Sequence, residues 1–231
     1  MRISTQEITT FVRCPILYRE GRHHKTIDKR IIEYLRKVIQ YLYSFQLAQH
    51  GEQCNFNALV KRWNQLWWGK KRPDDEEADK LNNEAYFAMD KYYSTYIDIE
   101  SEPIAVNWPY QAEMGQHVLT GTWPVVLGKD GGAQIYYPLS QKTTFGLLRD
   151  IVIRADVVAM YISTGNPPIE VTHSVFSGGE IKFDSFFPNK DWLNRAMDSV
   201  LQVISAIEQG FDWGNCHACK KCDLRNKCTG G

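Results

Sequence analysis

A chain of 231 residues, 43% of them hydrophobic, can bury its own core without staples, and its 27 basic and 27 acidic side chains cancel to a formal net charge of zero. That balance excludes the strongly basic class of autonomous nucleic-acid binders, though it leaves room for local basic patches. No apolar run reaches the length of a membrane span, and the polar stretch from Arg2 to Glu7 lacks the apolar centre of a secretory signal, so a cytoplasmic protein without membrane contact is expected.

Ser4 followed by Glu7 is a capping-box pair that predicts a short helix over 6–12. Cys14-Pro15 ends it, because a proline disfavours helix in the residue before it. From Thr26 to Gln49 the apolar residues Ile27, Ile31, Tyr34, Leu35, Val38, Tyr41, Leu42 and Phe45 fall at helical spacing. The pattern repeats over 57–68 through Leu59, Val60, Trp63, Leu66 and Trp67. After the loop Gly69-Lys-Lys-Arg-Pro, an acidic start opens a third helix that runs to about Tyr96.

The period then changes. Strands are predicted over 104–110, 116–127 and 134–139, with a glycine-rich hairpin turn over 128–132. The apolar stretch 145–162 suits helix or strand by composition; its length and the spacing of Arg149, Asp150, Arg154 and Asp156 favour helix. A second hairpin is expected over 169–175 and 180–187 across Ser177-Gly-Gly179. An amphipathic helix follows over 189–209, with Leu193, Met197, Val200, Leu201, Ile204 and Ile207 on one face and Gly210 closing it. The order predicts one α/β (α+β) domain over 1–231, a mixed sheet flanked by helices, with a helical insertion over 26–98.

Four of the six cysteines, Cys216, Cys219, Cys222 and Cys228, crowd the segment 211–231. Close Cys-x-x-Cys spacing brings thiolates to one metal centre. By itself the segment suits a zinc knuckle, an iron–sulfur site or a disulfide knot; in a cytosolic setting metal is favoured over disulfide. Cys54, in the helical insertion, reads as a small buried apolar residue.

The phrase Ser4-Thr-Gln-Glu-Ile-Thr-Thr-Phe-Val-Arg-Cys14-Pro15-Ile-Leu-Tyr18 at one end and Cys219-x2-Cys222-x5-Cys228 at the other resemble the iron–sulfur nucleases of the PD-(D/E)XK superfamily. That branch holds the RecB-like nuclease domains, the AddB subunit of bacterial helicase–nucleases and the CRISPR-associated Cas-four exonucleases. The resemblance implies a restriction-endonuclease-like fold with a [4Fe–4S] cluster on Cys14, Cys219, Cys222 and Cys228, joining 211–231 to the N-terminal helix as a clasp. Cys216 is then surplus or a substitute ligand. Zn2+ on Cys216, Cys219, Cys222 and Cys228, or with His217, is the competing reading.

Nucleases of that family hold Mg2+ or Mn2+ on an Asp of one strand and an Asp or Glu of the next, with a Lys two residues later; hard cations need such oxygen ligands. Here Gly121-Thr-Trp-Pro124 matches the first strand but has proline at the acid position. Ser140-Gln-Lys142-Thr143 matches the second with serine for the acid, so Lys142 is a remnant. Tyr161 stands where the family places a helix tyrosine, and His23 or His24 would stand for an upstream histidine. A rival alignment takes Asp156 and Glu170 as the acids and loses the lysine to Thr172. Otherwise Asp156 is a solvated helix residue and Glu170 a strand-edge residue.

The expectation is a catalytically inactive nuclease-fold iron–sulfur subunit, a pseudo-nuclease that binds DNA or scaffolds a DNA-processing or CRISPR defence complex. An active Mg2+/Mn2+-dependent DNA exonuclease and a zinc-stapled protein–protein adaptor are the alternatives. DNA contact would fall to the basic phrases 19–25, Lys61-Arg62 with 70–72, and 220–227. Stacking would fall to Trp63, Trp67 and Trp68, which otherwise pack between helices.

Overall fold

The computed structural model describes residues 1–13, 30–49, 54–68, 76–96, 102–139, 150–177 and 180–210. Its elements run β1 (Arg2–Ser4), α1 (Thr5–Arg13), α2 (Arg30–Ala48), α3 (Phe56–Trp68), α4 (Glu76–Tyr96), β2 (Glu102–Met114), β3 (His117–Lys129), β4 (Gly132–Tyr137), α5 (Ile151–Thr164), β5 (Glu170–Ser177), β6 (Glu180–Phe186) and α6 (Lys190–Glu208). The expected mixed α/β architecture, a central sheet flanked by helices, is observed. Among the described residues no helix is long and apolar enough to cross a membrane.

Local chemistry sets the ends of these elements. The Ser4 Oγ accepts from the Glu7 N–H at 3.1 Å, while Glu7 Oε2 accepts from the Ser4 N–H at 2.8 Å, which closes the capping box of α1. Asp130 and Gly131 both have positive φ, 47° and 76°, the pair of conformations a two-residue hairpin turn between β3 and β4 requires. The stretch expected as helix from 145 starts as α5 at Ile151. Asp150 caps it, its side chain accepting from the N–H groups of Val152 and Ile153, and Gly165 at φ 77° ends it; residues 145–149 lie outside the described residues. On α6 the buried face is Trp192, Leu193, Ala196, Val200, Ile204 and Ile207. Leu201, expected on that face, is exposed.

β3 organises the sheet. Along one edge it pairs antiparallel with β2 over nearly its whole length. Two strands share its other edge: β1 runs parallel to Val118–Thr120, and β4 runs antiparallel to Val125–Lys129. α5 then crosses over and β5 returns parallel to β4, with β6 antiparallel beyond it. Val125 and Val126, adjacent in sequence, belong to different cores because successive strand residues point to opposite faces. One face buries Leu119, Trp123, Val126, Ile135 and Val171 under α1, α5 and α6. The other buries Val125, Leu127 and Tyr136 under α2, α3 and α4, so the helices between α1 and β2 form a layer of their own.

Buried hydroxyls join that outer helical layer to the sheet. Tyr43 on α2 is hydrogen-bonded to Tyr92 on α4 at 2.9 Å, Tyr92 to Tyr136 on β4 at 2.7 Å, and Tyr136 to Ser174 on β5 at 2.7 Å. Ser174 Oγ also accepts from the Leu139 N–H at 2.9 Å. Burial pushes all three phenols above their ordinary range. A raised folded-state value means that their contribution to stability is complete below the unfolded tyrosine pKa of about 10 and is lost as pH rises through the folded values. In an alkaline titration, phenolate absorbance from these tyrosines is therefore expected to appear together with loss of the far-ultraviolet circular dichroism signal; early, independent ionisation would contradict the buried chain.

Candidate functional site

Asp156 sits mid-helix on α5 with 2% of its surface exposed, so the reading of it as a solvated helix residue is overturned. A carboxylate buried to that degree needs hydrogen-bond donors. The Tyr110 hydroxyl from β2 donates to Oδ1 at 2.6 Å, and the Tyr137 hydroxyl from the end of β4 donates to Oδ2 at 2.6 Å. The Trp123 indole from β3 donates to the Asp156 backbone carbonyl at 3.0 Å. Burial, then the nearby Asp156 charge, push both phenols well above their ordinary range.

Gly121 makes this arrangement possible. It stands opposite Tyr110 in the β2–β3 ladder, and a Cβ there would lie 2.3 Å from the Tyr110 hydroxyl oxygen. The glycine that matches the first-strand motif thus has a packing role: its missing side chain lets the Tyr110 ring cross the strand towards α5. Pro124, at the motif's acid position, is half-buried in β3 just before its pairing with β4 begins at Val125. Tyr161 is partly buried against the core under α5. Ser140 and Lys142 lie outside the described residues, as do His23 and His24.

Glu170 opens β5, which runs between β4 and β6, so it is not an edge residue. Its carboxylate accepts from Lys129 Nζ at 2.5 Å and from Thr172 Oγ1 at 2.9 Å, and Thr172 in turn contacts Ser185 and Gln134. Burial pushes the carboxyl up, but hydrogen bonds from Lys129, Ser185 and Thr172 together hold it below the usual glutamate range. The bond to Glu170 also raises the Lys129 ammonium.

The two acids do not converge. Val171 faces α5 and α6, and Glu170, its neighbour in the strand, faces the other way with Thr172. Asp156 lies on the α5 side, so the sheet separates the two carboxylates. Among the described residues no group of three or more His, Cys, Asp or Glu could hold a metal ion. Cys14, Cys216, Cys219, Cys222 and Cys228 lie outside them, as do most of the basic phrases; Cys54 is buried, as its sequence setting suggests. Trp63 is fully buried, donates to Asn82 Oδ1 at 2.9 Å and stacks on Trp67 with 5.3 Å between centroids. These rings pack against each other between helices.

Sequence reasoning passed over Tyr110, Tyr137, Trp123 and Lys129. The detectable signal was Gly121 in the interior of β3, since an interior strand glycine often marks a close approach.

No family model matches the chain, and no curated protein matches it. Among solved structures, the crystal structure of SSO0001 is similar over 99% of this chain and 86% of that chain, at 9% identity and a TM-score of 0.43. A likeness of that degree says nothing about activity.

Replacing Asp156 with alanine strands two buried phenol hydroxyls. The expected loss is about 3 kcal/mol or more in urea unfolding, and adding Tyr137→Phe should cost less than it does alone. Glu170→Gln should cost about 1–2 kcal/mol at neutral pH, discounted because Lys129 is 39% exposed on its side chain. Since the folded Glu170 value is lowered, its contribution is present above the unfolded glutamate pKa of about 4.3 and fades as pH falls through the folded value. The gap between wild type and Glu170→Gln should therefore close on acidification; a constant gap would mean that the carboxylate charge contributes nothing.

Proposed function

We propose that this chain is a nuclease-fold iron–sulfur protein without nuclease chemistry, acting as a DNA-binding or scaffolding subunit of a DNA-processing or defence complex. The observation that carries the reading is Asp156: both of its oxygens are hydrogen-bonded to tyrosines in a buried setting, which leaves no lone-pair face turned to solvent for a hydrated divalent cation and a phosphate. Glu170, the other candidate acid, is tied to Lys129 on the opposite face of the sheet. The other alignment has proline at 124 and serine at 140 in its two acid positions, and neither is a carboxylate.

The mixed sheet supports the fold part of the proposal: an antiparallel β2–β3–β4 meander, a crossover helix α5, and β5 parallel to β4. For the cluster, the support is the position of its two carriers. α1 ends at Arg13, next to Cys14, and packs against α6, whose end leads into the cysteine-rich segment. His117 and Glu208, 3.4 Å apart, place the end of α6 beside the β1–β3 pair. α1 spans about 13 Å from there, and the chain from Gly210 to Cys219 can reach roughly 30 Å. A [4Fe–4S] cluster on Cys14, Cys219, Cys222 and Cys228 would then fasten α1 to the segment after α6, as a structural clasp in a cytoplasmic protein.

The test is anaerobic purification with metal analysis, followed by incubation with single-stranded DNA and Mn(II). Four irons per chain and intact DNA are expected. Cleavage abolished by Asp156→Ala would replace the inactive reading by an exonuclease. One zinc and no iron would replace the cluster by a zinc staple.

A further inference from the structure

Three aromatic rings leave the β2–β3 ladder on the α5 side. Trp108 stands opposite Trp123, and Tyr110 follows Trp108 on the same face of β2. Side chains directly opposite in an antiparallel pair spring from Cβ atoms about 5 Å apart. The Trp123 and Tyr110 rings have centroids 4.7 Å apart and planes inclined by 31°. Exposure falls along the row: Trp108 is 56% exposed, whereas Trp123 and Tyr110 are buried. The row runs from solvent to Asp156.

The hydrogen-bond acceptors along this row differ in kind. The Trp123 indole donates to a peptide carbonyl, that of Asp156, which is a very weak base. The Tyr110 hydroxyl donates to a carboxylate oxygen at 2.6 Å, the length of a charge-assisted bond. Thr5, at the start of α1, also hydrogen-bonds to the Tyr110 hydroxyl. On the other face of the sheet, Tyr43, Tyr92 and Tyr136 are bonded to one another and to Ser174, all neutral hydroxyls.

Loss of one electron turns a phenol into a strong acid, so a buried tyrosine is oxidised most easily where a base already holds its proton. Charge balance acts in the same direction. Oxidising Tyr136 would create a positive charge in an apolar core, which is costly. Oxidising Tyr110 removes a buried charge, because its proton neutralises Asp156.

We propose that Tyr110 and Asp156 form a redox-active pair that is reached from the surface through Trp108 and Trp123. A one-electron oxidant of the oxygen-radical class, such as the carbonate radical, takes an electron from Trp108 and leaves as its anion, carbonate. Trp123 refills Trp108, and Tyr110 refills Trp123. As the electron leaves Tyr110, the phenolic proton crosses to Asp156 Oδ1. The products are a neutral phenoxyl radical and a carboxylic acid, so the pair passes from one negative charge to none. Tyr137 keeps its bond to Oδ2 and holds the acid in place. This chemistry works with or without a metal cluster and is independent of the nuclease-fold reading.

The test is illumination of the full chain with ruthenium tris-bipyridine and a cobalt(III) ammine as electron acceptor, followed by freezing and electron paramagnetic resonance. At liquid-nitrogen temperature the signals of four-iron clusters broaden away, so the result is read whether or not metal is bound. A tyrosyl spectrum is expected. Tyr110→Phe should lose most of it, Asp156→Asn should lose it by removing the base, and Tyr136→Phe should keep it. Trp108→Phe should also lose most of the signal, and the exposure of Trp108 makes this the variant least able to disturb folding. Circular dichroism checks the fold of each variant. A wild type without a tyrosyl signal overturns the proposal, as does a signal retained in Tyr110→Phe. A signal undiminished in Trp108→Phe overturns the path from the surface.

Discussion

A carboxylate placed inside an apolar helix must be given donors, and the α5 side of this molecule is arranged around that requirement. Asp156 would destabilise α5 against the sheet if its oxygens were left bare, because an unpaired buried charge costs several kcal/mol, on the order of 3–5. Tyr110, Tyr137 and Trp123 come from three different strands to meet it. Their convergence fixes how α5 sits across β2, β3 and β4, and so fixes the crossover that delivers β5.

On the opposite face the sheet solves a related problem with neutral groups. The hydroxyls of Tyr43, Tyr92, Tyr136 and Ser174 satisfy one another, which ties the outer helices to β4 and β5 through side chains. Both faces of the sheet are therefore closed by side-chain networks as well as by apolar packing.

Much of the fold was legible in the sequence because it rests on local rules. Ser4 and Glu7 announce α1, Asp130-Gly131 announces the β3–β4 turn, and the helical periods of 30–48 and 190–208 are plain. The candidate site was less legible. Asp156 looks like any charged helix residue until tertiary packing surrounds it, and no spacing rule connects it to Tyr110 or Tyr137. Glu170 at a strand start suggests an edge, because single-strand patterns do not reveal which strand will lie beyond it. Lys129 reaches Glu170 only through the stacking of β3, β4 and β5.

Gly121 and Tyr110 share one volume: the ring of one fills the space where the other would carry a side chain. Neither position can be interpreted separately. A bulkier residue at 121 would be tolerated only beside a smaller one at 110, so the two should vary as a pair among related chains. A glycine explained by its neighbour across the ladder is also weak evidence for a motif read along the strand. Alignments that anchor on Gly121 need to follow Tyr110 as well, or they will mistake a steric accommodation for a vestige of chemistry.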